Sequence, residues 1–200
     1  MVGDPGLNLP LALPQGFSLQ GDLLGPSAQR LFDRLWRDTP WRQDDILLFG
    51  RRIRQPRLVY WCADLGVSYR YSGLRLHATP WPPAVDELRE RLNRDLGCAF
   101  NSVLLNAYRD GEDSMGWHAD NEPELGPHPL IASYSLGATR RFRLRPAAGG
   151  PSLGFDLEHD SLLVMQGRSQ LDWRHAVPKT RRPVGLRINL TFRTILQLPA

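Results

Sequence analysis

Arg187-Ile188-Asn189-Leu190-Thr191-Phe192-Arg193 alternates without a break: every odd position is polar or charged and every even position is apolar. Period two is the mark of an extended strand, with odd residues on one face and even residues on the other. A solvent-facing outer side is one account of the polar set, and a face lined for a ligand is the other. Working back toward Phe100, the same short period recurs, punctuated by Gly and Pro. The segments are Phe100–Tyr108, Ile131–Ser135, Arg141–Arg145, Ser161–Gln166, Asp172–His175 and Gly185–Leu196. Gly149, Gly150, Pro151 and Gly154 mark a loop inside this strand region.

The first half of the chain reads differently. Leu31, Phe32, Leu35 and Trp36 have helical spacing, with Ser27 as N-cap and Pro40 closing the segment. A second helix starts at Pro83, carries Val85, Leu88, Leu92 and Leu96 as its stripe, and ends at Gly97. Helices followed by many short strands predict a mainly β fold with flanking helices, a double-stranded β-helix (jelly roll). The expected division is an N-terminal region, residues 1–98, packed on a core of residues 99–200 as one compact unit.

His118, Asp120 and His175 supply the chemistry. On a strand, residues two apart share a face, so His118 and Asp120 can point at one ion, and a distant His can close a third corner. Two imidazoles and one carboxylate on one side of a metal leave the opposite positions open, as in non-haem Fe(II) oxygenases. Arg187 and Arg193 add a second element, because they can reach the two ends of a small dicarboxylate through charge-assisted hydrogen bonds.

Composition fits a globular protein: 200 residues, 42% hydrophobic and 23% charged. Met1 to Gly16 has no basic n-region, and no stretch approaches the ~20 apolar residues of a membrane span. Cys62 and Cys98 are too few for a disulfide framework or a Cys-based zinc site, so a reducing, cytoplasmic setting is expected, nuclear in a eukaryotic source. The net charge is +4, with Arg clustered at Arg51, Arg52, Arg54 and Arg57, at Arg140, Arg141, Arg143 and Arg145, and at Lys179, Arg181 and Arg182. Such clusters suit a polyanion, although each alone could be a solvated face. His77, His128 and His159 match no ligand spacing.

Taken in order, Asn106-Ala-Tyr108-Arg-Asp-Gly, Asp113, Met115, His118-Ala-Asp120-Asn-Glu122, Pro129-Leu-Ile131-Ala-Ser133, His175 and Arg187 to Arg193 resemble the AlkB family. These are Fe(II)- and 2-oxoglutarate-dependent dioxygenases that repair alkylated bases, and the likeness, from about Asp45 to Ile195, is nearest the duplex-DNA branch. The resemblance implies that His118, Asp120 and His175 hold Fe(II). It also implies that Arg187, Asn106 and Tyr108 bind the distal carboxylate of 2-oxoglutarate. Arg193, supported by Asn189 and sharing its face with Thr191, would sit near the carboxylate that chelates the metal. The segment Tyr69-Arg-Tyr71-Ser72-Gly73 resembles the lesion-binding strand, with Tyr71 stacking on a flipped base; a half-buried strand is the alternative. Glu122 matches a position that touches the lesion's polar edge, or is a surface carboxylate.

Leu48-Phe49-Gly50-Arg51-Arg52 suits a wedge entering a base step, with Arg51 and Arg52 on phosphates, or else a core strand. Arg145 to Phe155 lacks the long basic stretch of some relatives, which weighs against strict duplex preference. The implied activity is oxidative demethylation of bases such as 1-methyladenine and 3-methylcytosine in DNA, with RNA a further candidate, by a monomer needing no membrane. An oxygenase acting on protein or small molecules, and a non-enzymatic metal-binding jelly roll, are the competing classes. The basic clusters oppose the first, and the Arg187/Arg193 pair opposes the second.

Overall fold

The computed structural model describes residues 12–48, 51–71 and 74–196. The elements run β1 (Phe17–Gln20), α1 (Ser27–Asp38), β2 (Asp45–Leu48), β3 (Arg51–Arg54), β4 (Leu58–Ala63), β5 (Ser68–Tyr71), β6 (Leu74–His77) and α2 (Pro83–Leu96). Then follow β7 (Ser102–Tyr108), β8 (Met115–His118), β9 (Ile131–Gly137), β10 (Arg140–Pro146), β11 (Leu153–Leu157), β12 (Ser161–Met165), α3 (Ser169–Asp172), β13 (Trp173–Val177) and β14 (Arg187–Arg193). A six-stranded sheet in the order β1-β12-β9-β14-β7-β4 faces a four-stranded sheet in the order β11-β10-β13-β8. All pairs are antiparallel, and the two layers make the jelly roll that the strand pattern predicts. β1 and β4, from the N-terminal half, form the two edges of the larger sheet.

Sequence parity decides which face of that sheet meets which neighbour. Ile188, Leu190 and Phe192 join Val103, Leu105 and Ala107 of β7 in a core that includes Leu31 and Leu35 of α1 and Val85, Leu88 and Leu92 of α2. The helices therefore cover the sheet's outer face with their apolar stripes. α2 stops where its stripe does, because Gly97 takes a left-handed conformation (φ 62°, ψ 42°) that costs glycine little. Between the two sheets lies a second core, with Phe142, Leu144, Phe155, Leu163 and Met165. The polar residues of β14 look into this same interlayer space.

Several expectations change. Ser27 is the first residue of α1, not its cap; Pro26 takes the cap position, and the Ser27 hydroxyl accepts from Arg30 Nη2 at 2.9 Å. Trp36 stands outside the stripe, 42% exposed, against Trp41. Gly154 belongs to β11 and not to a loop: it faces Arg143 in register, and a Cβ there would meet Arg141 Nε at 2.8 Å. The strand carrying His175 begins at Trp173, because Asp172 ends α3. Arg57 and Arg140, read as members of surface basic clusters, are 3% and 2% exposed.

Candidate metal centre and anion pocket

β8 and β13 pair so that His118 lies directly opposite His175, with ring centroids 4.1 Å apart. β8 ends at His118, so Asp120 is not on the same strand as expected; it lies just past the strand end and folds back toward both rings. The turn is fixed by Gln170 of α3, whose side-chain carbonyl accepts from the Asp120 N–H at 2.9 Å. One ligand atom from each of His118, Asp120 and His175 falls within 4.8 Å of the others, a set that could hold one metal ion. His118 Nδ1–H donates to the Gly116 carbonyl at 2.9 Å, which leaves Nε2 as the lone-pair donor. The His175 ring stacks on Phe142, 5.4 Å between centroids, so its orientation is set by the core.

Electrostatics keep the three groups in the form a cation needs. Burial lowers His175 to about 3, with His118 adding to the effect, and burial also lowers His118. Both imidazoles are therefore neutral. Burial alone would raise Asp120, but Arg193, then His175 and His118, hold it down at about 2. Arg193 Nη2 donates to Asp120 Oδ2 at 2.9 Å, so this arginine steadies a metal-ligand carboxylate directly.

Arg187 marks the other end of β14, six residues (193 − 187) and so about 20 Å along the strand from Arg193. It is 1% exposed. Its Nη2 donates to Ser135 Oγ at 2.9 Å, and its guanidinium lies over the Tyr108 ring, 5.1 Å from the centroid. Nε and Nη1 have no hydrogen-bond partner among the described residues. Burial lowers Arg187 to about 10, Tyr108 opposing this and Arg140 adding to it. A buried cation with two unmet donors is costly unless an anion completes it. Arg187 and the three ligand residues line one cavity, so a small acid can meet the metal at one end and this guanidinium at the other.

Asn106 and Tyr108 flank Arg187 across the β14–β7 pair, as Tyr108↔Arg187 and Asn106↔Asn189. Asn106 Oδ1 accepts from Arg57 Nε at 2.8 Å, so the buried Arg57 braces a residue of the cavity wall. The Asn189 amide donates to Ser133 Oγ and to the Tyr134 carbonyl, and its oxygen accepts from Thr191. Ser133 and Ser135 stand two apart on β9, and parity on that segment could have singled them out. Nothing in the local sequence marks Gln170 or the burial of Arg57 and Arg140. Arg140 donates to the carbonyls of Asp110, Asp113 and Pro178, so it ties loops together and does not meet solvent.

The remaining predicted residues lie elsewhere or outside view. Glu122 is half-buried and precedes a short 3-10 turn, Pro123–Leu125. Tyr69 and Tyr71 are on β5, paired with Leu76 and Leu74 of β6. Leu48 pairs with Arg51 and Leu47 with Arg52, which is exposed. Phe49, Gly50, Ser72 and Gly73 lie outside the described residues. Lys179, Arg181 and Arg182 are exposed, with Lys179 on Glu112 at 3.2 Å. His159 accepts from the Gly137 N–H and is structural. No helix among the described residues is long and apolar enough to cross a membrane.

Comparisons with known proteins identify the family. The chain is 40% identical over 182 residues to alpha-ketoglutarate-dependent dioxygenase alkB homolog 3 of Bos taurus, covering 86% of this chain and 63% of that one. It is 38% identical to the DNA oxidative demethylase ALKBH2 of Arabidopsis thaliana, covering 82% and 61%. It therefore spans a little under two thirds of the length of these relatives. The solved structure of OsALKBH1 overlaps 91% of the chain with a TM-score of 0.60 at 19% identity, a likeness of fold. Fe(II) and 2-oxoglutarate are what such oxygenases take, and a neutral two-His, one-carboxylate set facing an unmet buried guanidinium fits both. The 2OG-Fe(II) oxygenase superfamily model matches from residue 18 to residue 193, nearly the whole described fold, and the chain belongs to that superfamily.

Proposed function

We propose that this protein removes N-linked methyl groups from nucleic acid bases, DNA first, in a reaction dependent on Fe(II) and 2-oxoglutarate. The observation that carries it is the buried Arg187 guanidinium, with two unmet donors, sharing a cavity with the three ligand residues. His118, Asp120 and His175 would hold the metal, and the chemistry supplied there is oxidation of the methyl carbon by O2 coupled to 2-oxoglutarate, leaving formaldehyde, succinate, CO2 and the bare base nitrogen. Arg187 would take the distal carboxylate, with Asn106 and Tyr108 lining its approach. Arg193 keeps Asp120 ionised, and Phe142 and Met165 keep bulk water from the cavity's apolar wall. The relatives' names point to alkylated DNA as substrate. Exposed Arg141, Arg143, Lys179 and Arg182 line one groove, which supports a polyanionic partner.

Product analysis on matched 1-methyladenine oligonucleotides, single- and double-stranded, DNA and RNA, tests this. Stoichiometric formaldehyde and unmodified adenine, both dependent on 2-oxoglutarate, are expected. Succinate formation with every methylated oligonucleotide left intact would reject nucleic acid as the substrate.

A further inference from the structure

We propose that Trp117, Arg143 and Arg145 form a docking surface for an unpaired nucleic-acid strand on the outer face of the smaller sheet. This rests on the nucleic-acid substrate proposed above and specifies how a strand is held. On β10, exposed Arg141, Arg143 and Arg145 alternate with buried Phe142 and Leu144, so the arginines share the face turned away from the cavity. On β8, Trp117 is 37% exposed, one residue before His118. The two arginines converge on it: the Arg145 guanidinium carbon lies 4.7 Å from the indole centroid and that of Arg143 5.7 Å.

The surrounding charge is what separates this cluster from an ordinary solvated face. Arg141 is matched by Asp156 at 3.2 Å. Arg143, Arg145 and Arg174, the last opposite Arg145 in register, make no ion pair among the described residues. Arg143 donates to the Ser152 hydroxyl instead. An indole holds the guanidiniums in place without neutralising them, whereas a carboxylate would do both. Phosphodiester groups complement the three cations, and the solvent-exposed part of the indole ring offers a base an aromatic surface to stack on. Base faces are covered within a duplex, so the aromatic contribution is available only to an unpaired strand. β8 carries Trp117 beside His118 and β13 carries Arg174 beside His175, so a strand docked here lies one sheet thickness from the metal ligands.

The test is fluorescence anisotropy with labelled, unmodified dT12 and a duplex of equal length, over a salt series. Trp117→Ala should weaken dT12 binding about five- to tenfold, Trp117→Phe should restore most of it, and neither should alter duplex binding. Arg143→Gln with Arg145→Gln should weaken binding and flatten the slope of log K against log salt by about 1.4. Stabilisation of each variant by 2-oxoglutarate with Mn(II) shows that the fold and the cavity are intact. Wild-type affinity for dT12 in Trp117→Ala, or equal losses on strand and duplex, would overturn the docking surface while the substrate assignment stands. A wild-type protein that binds no oligonucleotide and demethylates none would overturn both.

Discussion

The two faces of β14 are equally buried and do opposite things. Ile188, Leu190 and Phe192 are each 0% exposed, and Arg187, Asn189, Thr191 and Arg193 only 1–7%. The apolar face meets α1 and α2, and each of its side chains contributes roughly 1.5–3 kcal/mol by leaving water. On the polar face, Asn189 and Thr191 satisfy each other and Arg193 has Asp120, while Arg187 retains two unmet donors. On this strand, burial alone therefore does not separate scaffold from site; what marks the site is one buried cation with two unmet donors.

The largest losses of activity are expected at the metal ligands. His118→Ala or His175→Ala should abolish succinate formation while the metal-free melting temperature stays within a few degrees of wild type. Normal turnover at wild-type iron occupancy would remove these residues from the centre. Asp120→Ala should abolish turnover too, but it removes the carboxylate that accepts from Arg193 and should also destabilise the fold, visible as a lower midpoint in urea.

The apolar face should respond in the opposite sense. Phe192→Ala should cost ~3–5 kcal/mol of stability in a urea titration, and Leu190→Ala ~2–5 kcal/mol, with 2-oxoglutarate affinity retained in whatever remains folded. Arg187→Leu should leave stability unchanged or raised, because it removes an unpaired buried charge. A loss as large as that of Phe192→Ala would mean Arg187 is scaffold.

A smaller effect tests the electrostatics. His175 is held at about 3 and His118 below its ordinary 6.5, so as pH falls below 6.5 the unfolded chain takes up protons that the folded chain refuses. Metal-free stability should therefore fall from pH 6.5 toward 3, with Asp120 adding a further loss below its unfolded value of 3.8. Melting curves in chelator from pH 8 to pH 5 should show the decline, and His118→Gln with His175→Gln should flatten it. An unchanged slope in that double variant would place the titrating groups elsewhere.

Much of this was legible in the chain. The alternation of Arg187 to Arg193 reports two unlike faces, and Val85, Leu88 and Leu92 report a helix stripe. Parity cannot say that Asp120 sits beyond its strand, because the turn after His118 depends on Gln170, 50 residues away. Nor can it show that Arg57 and Arg140 are buried amid exposed arginines, since their partners, Asn106 and three loop carbonyls, come from distant segments. Charge clustering is a local property, and burial is not.

Anaerobic calorimetry of 2-oxoglutarate with the Mn(II)-loaded protein shows directly whether Arg187 is the anion socket facing the metal ligands. Wild type should bind with one site per chain. Arg187→Lys should lose about tenfold or more in affinity, because a point charge replaces a planar fork, and Arg187→Leu should show no saturable binding while melting at or above the wild-type temperature. Wild-type affinity in Arg187→Leu would mean that the anion is held elsewhere.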